Sequence, residues 1–512
     1  VRATPLEPAL PASNLGTLLL LPSVFHGRPP VILFQYATCC GAKQAVLERA
    51  IPAAADGPVP YYCYANVHRY NAVVRVLRHS GFQEAPVGSR QWLLLWSRHA
   101  SPAVLQRLQP RQRTNHFRGS WHLGHKALLW NSIWRMQQHH GEAYNIMPQT
   151  YVLPRDMASW KDARVRHPGD HWIWKPCNQS CGRGIRLIGP QQSVDRILGR
   201  SRRRRGVVQR YVSNPLLING FKFDLRLYVV VLSFDPLKVY LNDEGLVRLA
   251  TEKYLLSPET LCQRRMHLTN YSINKSSPSF WHKKGDMGDN FFGASKGSLR
   301  ELRAHLEHEG IEFTSLFDSI KDLVIKTVLA VEPLIRAERH KLQQAATTPG
   351  DLTGAHRSSC FELYGFDVLL DGSLKPWLLE VNILPSFSSG SALDKRIKTK
   401  LIADVLTLVG IQLPQASEPH GEHEQDKATA LNEARESLLG EDLPEHLRGM
   451  EARELILESH DEDMRSGGLR RIYPAADSAN YAQYFVDESR CNYTLRTWYE
   501  SRSDALLKAN TK

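Results

Sequence analysis

Three side chains of the kinds that bind metal ions lie within the otherwise apolar segment 360–382. Asp367 interrupts one apolar run, and Glu380 and Asn382 interrupt the next. Because side chains alternate along a strand, Glu380 and Asn382 share one face. Carboxylates that lie side by side on a buried face repel each other unless a cation lies between them, and hard oxygen ligands suit Mg²⁺. A half-solvated strand face is the alternative interpretation.

The same segment predicts a hairpin with a definite register. If residues 371–376 form its loop, Leu370 pairs with Trp377. This register places Asp367 opposite Glu380, so that the two carboxylates from neighbouring strands can share one ion.

A second pattern of charges lies in Lys222–Tyr228. Alternation places Lys222, Asp224 and Arg226 on one face and apolar side chains on the other. Two cations on either side of an anion within an apolar strand indicate the wall of an anion-binding cleft, because buried charges need partners. An ion-pair ladder on a sheet surface is the alternative, and such pairs contribute little stability.

Three further segments offer contacts for a phosphate or a base. Lys175 ends an apolar strand, and glycines at 182 and 184 follow in a turn whose backbone N–H groups can reach phosphates. Residues 209–212 offer backbone groups that can pair with an adenine edge. Residues 267–272 offer neutral hydrogen-bonding side chains, although a capped turn also explains that composition.

Composition limits the class of protein and of partner. The chain has 512 residues, 42% of them hydrophobic, which allows two to four domains with substantial cores. No apolar run approaches the ~18 residues of a membrane span, and eight irregularly spaced cysteines favour a reducing compartment. A net charge of +13 favours a polyanionic partner. No nucleic-acid module accompanies this charge, so acidic protein tails are the alternative to nucleic acid.

Hydrophobic periodicity predicts the fold class α/β (α+β) in three parts: residues 1–115, a small α/β domain; residues 116–412, a larger core; and residues 413–512, a largely helical and partly disordered extension. The predicted strands are Leu15–Leu21, Val31–Tyr36, Gln91–Trp96, Tyr151–Leu153, Phe221–Ser233 and Lys238–Leu241, with a strand–turn–strand unit over Trp172–Ile188. The predicted helices are Tyr70–Ser80, Gly124–Gln138 and most of Leu299–Leu334, and a polar linker is predicted over Lys341–His356.

Six segments in order resemble the tubulin tyrosine ligase-like family over residues 115–412. They are WIWKP with GRGI, VVQRYVSNPLLINGFKFDLRLYV, GLVRLATEKY, HLTNYSINK, CFELYGFDVLLD and LKPWLLEVN. The resemblance implies an ATP-grasp fold and an ATP-dependent carboxylate–amine ligase that uses two Mg²⁺ ions. In such an enzyme, ATP phosphorylates a carboxylate, and the amine of a free amino acid then displaces the phosphate.

The resemblance also implies roles for individual residues. ATP-binding positions would be Lys175, Cys181, Gly182, Gln209, Arg210, Tyr211, Val212, Lys222, Phe223, Asp224, Thr269 and Asn270. The incoming amino acid would contact Arg248, Tyr271, Ser272, Lys296 and Lys398, and the metal ligands would be Asp367, Glu380 and Asn382. The catalytic residues would be Arg226, Lys222 and Glu380, with Arg226 stabilising phosphate charge in the transition state.

The sequence is most similar in style to the glutamate-adding members of that family. This implies free L-glutamate as substrate and a γ-carboxylate in an acidic tail, most often of tubulin, as acceptor. The implied protein is a monomer in the cytoplasm and on the cytoskeleton, with the cilium or basal body as a further location, and it binds neither nucleic acid nor membrane. Two alternatives stay open: a glycine ligase on the same scaffold, and a catalytically impaired microtubule-binding protein.

Two positions depart from the family pattern. Cys181 stands where members carry Arg, Lys or Gln, and Lys296 is followed by glycine where members carry tryptophan. A neutral thiol has neither the charge nor the hydrogen-bonding reach of those side chains. We therefore expect Cys181→Arg to change the ligation rate or the choice of acceptor, measured by mass spectrometry of modified acceptor peptides. An unchanged rate and product pattern would contradict a role for this position.

Overall fold

A computed structural model describes residues 16–25, 27–36, 44–177, 179, 182–193, 205–279, 295–344, 359–414, 447 and 449–510. These residues form a mixed α/β fold in which the strands group into four sheets. Cys181 lies outside the described residues, and so do residues 415–446 and 448 of the predicted C-terminal extension. Within the described ranges, none of the helices combines the length and the apolar content that a membrane crossing needs.

The strands are numbered here in chain order. They are β1 Leu19–Leu21, β2 Val31–Leu33, β3 Ile51–Pro52, β4 Tyr61–Ala65, β5 Gln83–Glu84, β6 Leu94–Ser97, β7 Arg113–Thr114, β8 Thr150–Leu153, β9 Trp172–Pro176, β10 Arg186–Ile188, β11 Gly206–Arg210, β12 Leu217–Ile218, β13 Phe221–Phe234, β14 Leu237–Asn242, β15 Leu246–Lys253, β16 Lys296–Ser298, β17 Glu362–Leu370, β18 Pro376–Asn382 and β19 Leu469–Tyr473.

Helices connect and cover these strands. The α-helices are Gln44–Leu47, Asn71–His79, Pro102–Leu105, Trp121–Gly124, Lys126–His140, Met157–Arg166, Arg264–His267, Tyr271–Asn274, Leu299–His308, Phe313–Gln344, Ala392–Val409, Met450–Met464 and Arg490–Asn510. Two 3₁₀ helices span Gly141–Tyr144 and Ser478–Tyr484.

The 14-residue strand β13 organises the largest sheet, which has eight strands. β13 pairs antiparallel with β12, β14, β15 and β17 along successive parts of its length. Leu225 and its odd-numbered neighbours pack against the helices Lys126–His140 and Phe313–Gln344. Tyr228 and Val230 face the opposite side and pack near Ala392–Val409. A strand buried on both faces explains why this part of the sequence is almost continuously apolar.

The N-terminal residues form a parallel sheet of order β5-β4-β6-β7, next to a small antiparallel sheet of β2, β1 and β3. The parallel sheet joins the central sheet directly. Thr114 N–H donates to the Ser359 carbonyl at 2.8 Å, and Phe361 N–H donates to the Thr114 carbonyl at 3.0 Å. Leu77 and Trp96 share a hydrophobic cluster with residues of the central sheet, so the two parts bury one continuous core.

A four-stranded antiparallel sheet of order β10-β9-β11-β8 carries the predicted glycine turn. The C-terminal residues also belong to the fold. Strand β19 pairs with β14 at the edge of the central sheet, and Lys238 Nζ donates to Glu462 Oε1 at 2.8 Å beneath the helix Met450–Met464. The described residues of this region include the helices Met450–Met464 and Arg490–Asn510.

Most predicted elements are confirmed within a few residues, and the others differ in the following ways. The helical stretch predicted over Leu299–Leu334 is two helices, separated near Gly310, whose φ is +78°. The second helix continues to Gln344, so the predicted start of the linker at Lys341 is wrong; Lys341 Nζ lies 2.7 Å from the Glu338 carboxylate one turn earlier in this helix. The strands β4 and β15 and the helices Met157–Arg166 and Ala392–Val409 were not predicted.

We expect Ile472→Ala to destabilise the protein, because Ile472 is 4% exposed and lies in the same core as β13. Loss of a buried side chain of this size costs about 2–5 kcal/mol, which chemical denaturation followed by circular dichroism would measure. Arg470→Ala in the same strand removes an exposed side chain and serves as the control. Equal unfolding midpoints for both variants would contradict the assignment of β19 to the core.

Candidate active site

The hairpin of β17 and β18 brings the predicted metal ligands together. Asp367 lies opposite Glu380, as predicted, and Asn382 Nδ2 donates to Glu380 Oε1 at 3.4 Å. The predicted pairing of Leu370 with Trp377 is wrong, because Leu370 pairs with Pro376 and the hairpin loop is one residue shorter.

A β-bulge restores the register between the turn and the carboxylates. The pairing shifts by one residue between Asp367 and Val368, which leaves Leu379 as the extra residue of β18. Leu378 and Val381 pack in the core, whereas Leu379 and Glu380 both line the neighbouring cleft. Strict alternation would have turned Leu379 to the core side with Val381.

Four charged side chains on three strands form a buried series that we call the ion chain. Arg248 donates to both carboxylate oxygens of Asp224, at 2.7 and 2.5 Å. Arg226 donates to both oxygens of Asp367, at 2.6 and 3.1 Å. Arg248 Nη2 also lies 2.9 Å from Asp367 Oδ2, which joins the two pairs. Charge-assisted bidentate pairs of this kind fix side-chain geometry strongly.

The ion chain holds the Asp367 carboxylate in the charged form. Burial alone would raise the pKa of Asp367, but the adjacent guanidinium groups of Arg226 and Arg248 outweigh it and hold that pKa at about 2. Burial would lower the pKa of Arg248, and Asp224 and Asp367 instead raise it well above its ordinary value. Asp367 is therefore an anion at any physiological pH.

A cleft of about 830 Å³ opens beside the ion chain, and two buried lysines lie in it. Lys175 Nζ donates to Gln209 Oε1 at 2.6 Å, and Lys222 Nζ donates to the Tyr211 hydroxyl at 2.8 Å. Burial lowers the pKa of Lys175 to about 8 and that of Lys222 to about 7. Two ammonium groups without a fully compensating anion make this cleft suited to a polyanionic ligand.

Most residues predicted to bind a nucleotide line this one cleft. They are Lys175, Gly182, Gln209, Arg210, Tyr211, Val212, Lys222, Asp224, Thr269 and Asn270, joined there by Asp367 and Glu380. The apolar wall includes Ile173, Ile185 and Leu369. A planar apolar surface next to cations fits a ligand that has both a ring and phosphates.

The glycine turn packs tightly against the predicted polar cluster. Gly182 has φ +71°, and a Cβ there would lie 2.5 Å from Ile273 Cδ1 and 2.9 Å from Asn270 Oδ1. Arg264 also donates to the Gly182 carbonyl at 2.5 Å. Glycine is therefore required by both backbone conformation and space, and the turn and residues 267–273 approach each other at one end of the cleft.

The side chains predicted to hold an amino acid form a second group, which we call the cation cluster: Tyr271, Lys296 and Lys398 around Asp394. Lys296 Nζ lies 3.1 Å and Lys398 Nζ lies 2.8 Å from the Asp394 carboxylate. Lys296 Nζ also lies 4.0 Å from the centre of the Tyr271 ring. Lys296 is paired with Arg248 across β16 and β15, so the cation cluster adjoins the ion chain.

Two predicted residues lie elsewhere. The side chain of Phe223 is 1% exposed and packs in the core, on the face of β13 away from the cleft. Ser272 is exposed on the short helix Tyr271–Asn274 and does not line the cleft.

Sequence reasoning missed several residues of the site. Lys126 Nζ lies 3.3 Å from Glu380 Oε2, and His267 lies 3.1 Å from the Tyr211 hydroxyl through Nδ1. Asp394 had a detectable signal, because Ser391 caps the helix Ala392–Val409 and accepts from Asp394 N–H. That capping pattern predicts the helix start, but it does not reveal that the carboxylate pairs with two lysines.

Comparison with known proteins agrees with this arrangement. Residues 105–420 match the tubulin-tyrosine ligase family, and the chain belongs to that family. Membership implies the use of ATP and metal ions in general.

Named relatives extend the similarity beyond the family match. The chain is 34% identical over 502 residues to mouse "Tubulin polyglutamylase TTLL5" (92% of this chain, 36% of the relative). It is 33% identical over 449 residues to human "Tubulin monoglutamylase TTLL4" (81% and 36%). It is 35% identical over 429 residues to zebrafish "Tubulin polyglutamylase ttll6" (82% and 51%). The chain thus spans about a third of the length of the first two relatives.

The low pKa of Lys222 predicts that nucleotide binding takes up protons. At a pH of about 8, Lys222 with a pKa of about 7 is mostly neutral in the free protein. A bound polyphosphate favours the ammonium form and raises that pKa, so ATP affinity should fall as the pH rises above about 7. Titration calorimetry in two buffers of different ionisation enthalpy measures the uptake.

The matched variant is Lys222→Arg, because a guanidinium stays charged throughout this pH range. We expect it to take up fewer protons than the unchanged protein. Equal uptake by both would assign the protons to another group and contradict the prediction.

Proposed function

We propose that this chain is an ATP-dependent ligase that adds glutamate to γ-carboxylates of glutamate residues in acidic protein tails, with tubulin as the acceptor. One observation carries the proposal. The ion chain connects a cleft suited to a polyanion with a cluster of cations suited to an amino-acid carboxylate. A ligase that joins an activated carboxylate to a free amino acid needs these two sites side by side.

In this proposal ATP occupies the cleft. Lys175 and Lys222 bind its phosphates, the turn at Gly182 covers them with backbone N–H groups, and segment 209–212 lies beside the adenine. When ATP binds, both lysines become fully charged, and charged lysines bind the phosphates more strongly than a neutral part of the ligand.

Asp367, Glu380 and Asn382 fit Mg²⁺, and we propose two ions. All three offer oxygen donors, which this metal prefers. The Asp367 carboxylate accepts three hydrogen bonds from arginine, and a carboxylate has about four lone-pair positions. One position therefore stays free for a metal ion, which, when bound, would neutralise charge on the phosphates.

The reaction would proceed in two steps. The acceptor γ-carboxylate attacks the terminal phosphorus of ATP, the bond to the bridging oxygen breaks, and ADP leaves. The α-amine of glutamate, after losing a proton, attacks the acyl carbon, and inorganic phosphate leaves as the amide forms. Arg226 is held by Asp367, which lines the cleft, and would stabilise the negative charge that develops on the transferred phosphoryl group.

The cation cluster favours free L-glutamate over glycine as the incoming amino acid. Lys398 is 5% exposed and donates to Asp394 and to the Ser388 carbonyl at 2.7 Å, which leaves one ammonium hydrogen for a ligand. Two lysines and Arg248 exceed what a single α-carboxylate needs. The second carboxylate of glutamate would meet the remaining charge.

The acceptor and the place of action follow from charge and from the relatives. The net charge of +13 attracts an acidic tail, and the names of the relatives give tubulin as the protein modified. We propose a monomer that acts on the cytoskeleton, including the cilium or basal body. We also propose that the chain consists of an N-terminal domain (residues 1–115), a catalytic core (residues 116–412) and a C-terminal extension (residues 413–512).

Replacement of Glu380 by Gln should abolish ligation without loss of the fold, because the amide keeps the size but not the charge of a metal ligand. Loss of several kcal/mol of charge stabilisation corresponds to a rate at least about 100-fold lower. Incorporation of labelled glutamate into tubulin-tail peptides, with ATP and Mg²⁺, measures the rate. Glu259→Gln at an exposed position is the control, and full activity of Glu380→Gln would contradict the metal assignment.

Replacement of Lys398 by Met should raise the KM for glutamate about tenfold or more, because a charge-assisted hydrogen bond is lost. The KM for ATP should stay unchanged, since Lys398 does not line the cleft. Lys395→Met removes an exposed lysine from the same helix and is the matched control. Equal glutamate KM values for the two variants would exclude Lys398 from the amino-acid site.

A further inference from the structure

A second cavity of about 610 Å³ lies at the carboxyl end of the parallel sheet, and it shares no lining residue with the cleft. Residues within three positions of the ends of the strands β4, β6 and β7 line it: His68, Arg98 and Asn115. Ligands of open parallel sheets bind at this edge, because the loops after the strands converge there. None of the roles proposed above uses this cavity.

The cavity lining combines aromatic walls with basic groups. Tyr70 and Trp96 pack edge-on against Phe387, with ring centres 5.7 and 6.1 Å apart. Arg98 is exposed at the cavity, and no carboxylate is among the lining residues. This composition fits a ligand with a carboxylate and an apolar or backbone portion.

Another groove on the described surface also has arginines and tryptophan, but two of its arginines already pair with aspartates. There Arg155 pairs with Asp156, and Arg210 pairs with Asp170 at 2.9 Å. An acidic ligand would have to displace those carboxylates, which makes this groove the weaker candidate for an acidic chain.

His116 supplies a buried polar atom that has no partner. It is 2% exposed and lines the second cavity, and its Nδ1 lies 2.6 Å from Glu362 Oε1. Nε2 of the same ring makes no hydrogen bond within the described part of the chain. A buried polar atom without a partner is costly, so a ligand group is the natural partner for Nε2.

His99, His116 and Glu362 lie close enough to suggest a metal site, but the carboxylate is already saturated. Four groups donate to Glu362: His116 Nδ1, Ser120 Oγ at 2.9 Å, Phe117 N–H at 2.9 Å and the Tyr364 hydroxyl at 3.1 Å. These fill the four lone-pair positions of a carboxylate. The network orients His116 towards the cavity and leaves no oxygen for a metal ion.

The segment 383–389 joins this cavity to the reacting groups. It begins directly after Asn382, and its Pro385 lines the cavity. A Cβ on Gly365 would lie 3.0 Å from Pro385 and 3.1 Å from Arg226 Cδ, so the cavity wall and the ion chain meet at that glycine. The cavity wall is therefore separated from the ion chain by the width of one buried glycine.

We propose that the second cavity anchors the acidic acceptor chain next to the glutamate that is modified. A neighbouring carboxylate of that chain binds Arg98, a backbone N–H group of the chain donates to His116 Nε2, and methylene groups of the chain pack on the aromatic walls. This inference rests on the proposed function and deepens it, because the anchor determines which glutamate of the acceptor reaches the cleft.

Binding of a fluorescent acidic peptide that contains a run of glutamates, measured by anisotropy without ATP, tests the anchor directly. We expect Arg98→Glu to weaken binding about tenfold or more, since a charge-assisted contact becomes a repulsion. Arg90→Glu makes the same charge change at an exposed arginine outside the cavity and is the matched control. Equal affinities for the two variants would overturn the proposal.

A second pair of variants does not depend on arginine. Leu384→Glu adds a carboxylate at the cavity, where Leu384 is 39% exposed, and Val87→Glu adds one at a fully exposed position elsewhere. The first should weaken peptide binding and the second should not. Photo-crosslinks from the peptide should map to residues 67–70, 96–98 or 383–387. Crosslinks confined to the other groove, which Trp134, Arg155 and Arg210 line, would overturn the anchor.

Ligation kinetics separate this inference from the proposed function. If the wild-type chain ligates glutamate, Arg98→Glu should raise the KM for the peptide and leave the KM values for ATP and glutamate unchanged. An unchanged peptide KM would contradict the anchor but not the proposed function. A wild-type chain that adds no glutamate, yet binds the peptide in an Arg98-dependent way, contradicts the proposed function and supports the anchor.

Discussion

The buried ion chain of Asp224, Arg248, Asp367 and Arg226 is the constraint on which the rest of the site depends. Transfer of four charges out of water is expensive, and mutual pairing compensates for it only when the geometry is good. Three strands, β13, β15 and β17, must therefore hold their registers together. A slip of one residue in any of them would turn a charge into the core. The cleft and the cation cluster take their positions from this arrangement.

Strand β13 explains how so polar a centre can exist within the protein. Its first residues carry Lys222, Asp224 and Arg226 on one face, while its later residues are buried on both faces between two hydrophobic clusters. The apolar half fixes the strand, and the charged half is thereby positioned with little freedom. The bulge at Leu379 then aligns the second carboxylate with the first. Rigid elements of this kind hold reacting groups more closely than loops can.

The parts outside the central sheet contribute to the same centre. The parallel sheet at the N-terminus is bonded to the start of β17 through Thr114, and the strand β19 closes the far edge of the central sheet. The second cavity lies where the parallel sheet meets the segment that follows Asn382. The proposed anchor for the acceptor chain thus lies in a part of the fold that the family match at residues 105–420 covers only partly.

Alternation along β13 and the Asp367–Glu380 pairing could be predicted from the sequence, because both depend on local periodicity and on one hairpin. The family and the residues that line the cleft followed from the ordered motifs. The sequence alone did not determine the bulge at Leu379, because a bulge relieves a mismatch between a tight turn and a sheet that only the assembled strands create. The partners of Arg248 and of Asp394 were decided by tertiary structure for the same reason. Asp367 lies on an element distant in sequence from Arg248, as Lys296 does from Asp394, and no local pattern encodes that these charges meet. Lys398, by contrast, lies four residues after Asp394 on the same helix, and that pairing is local.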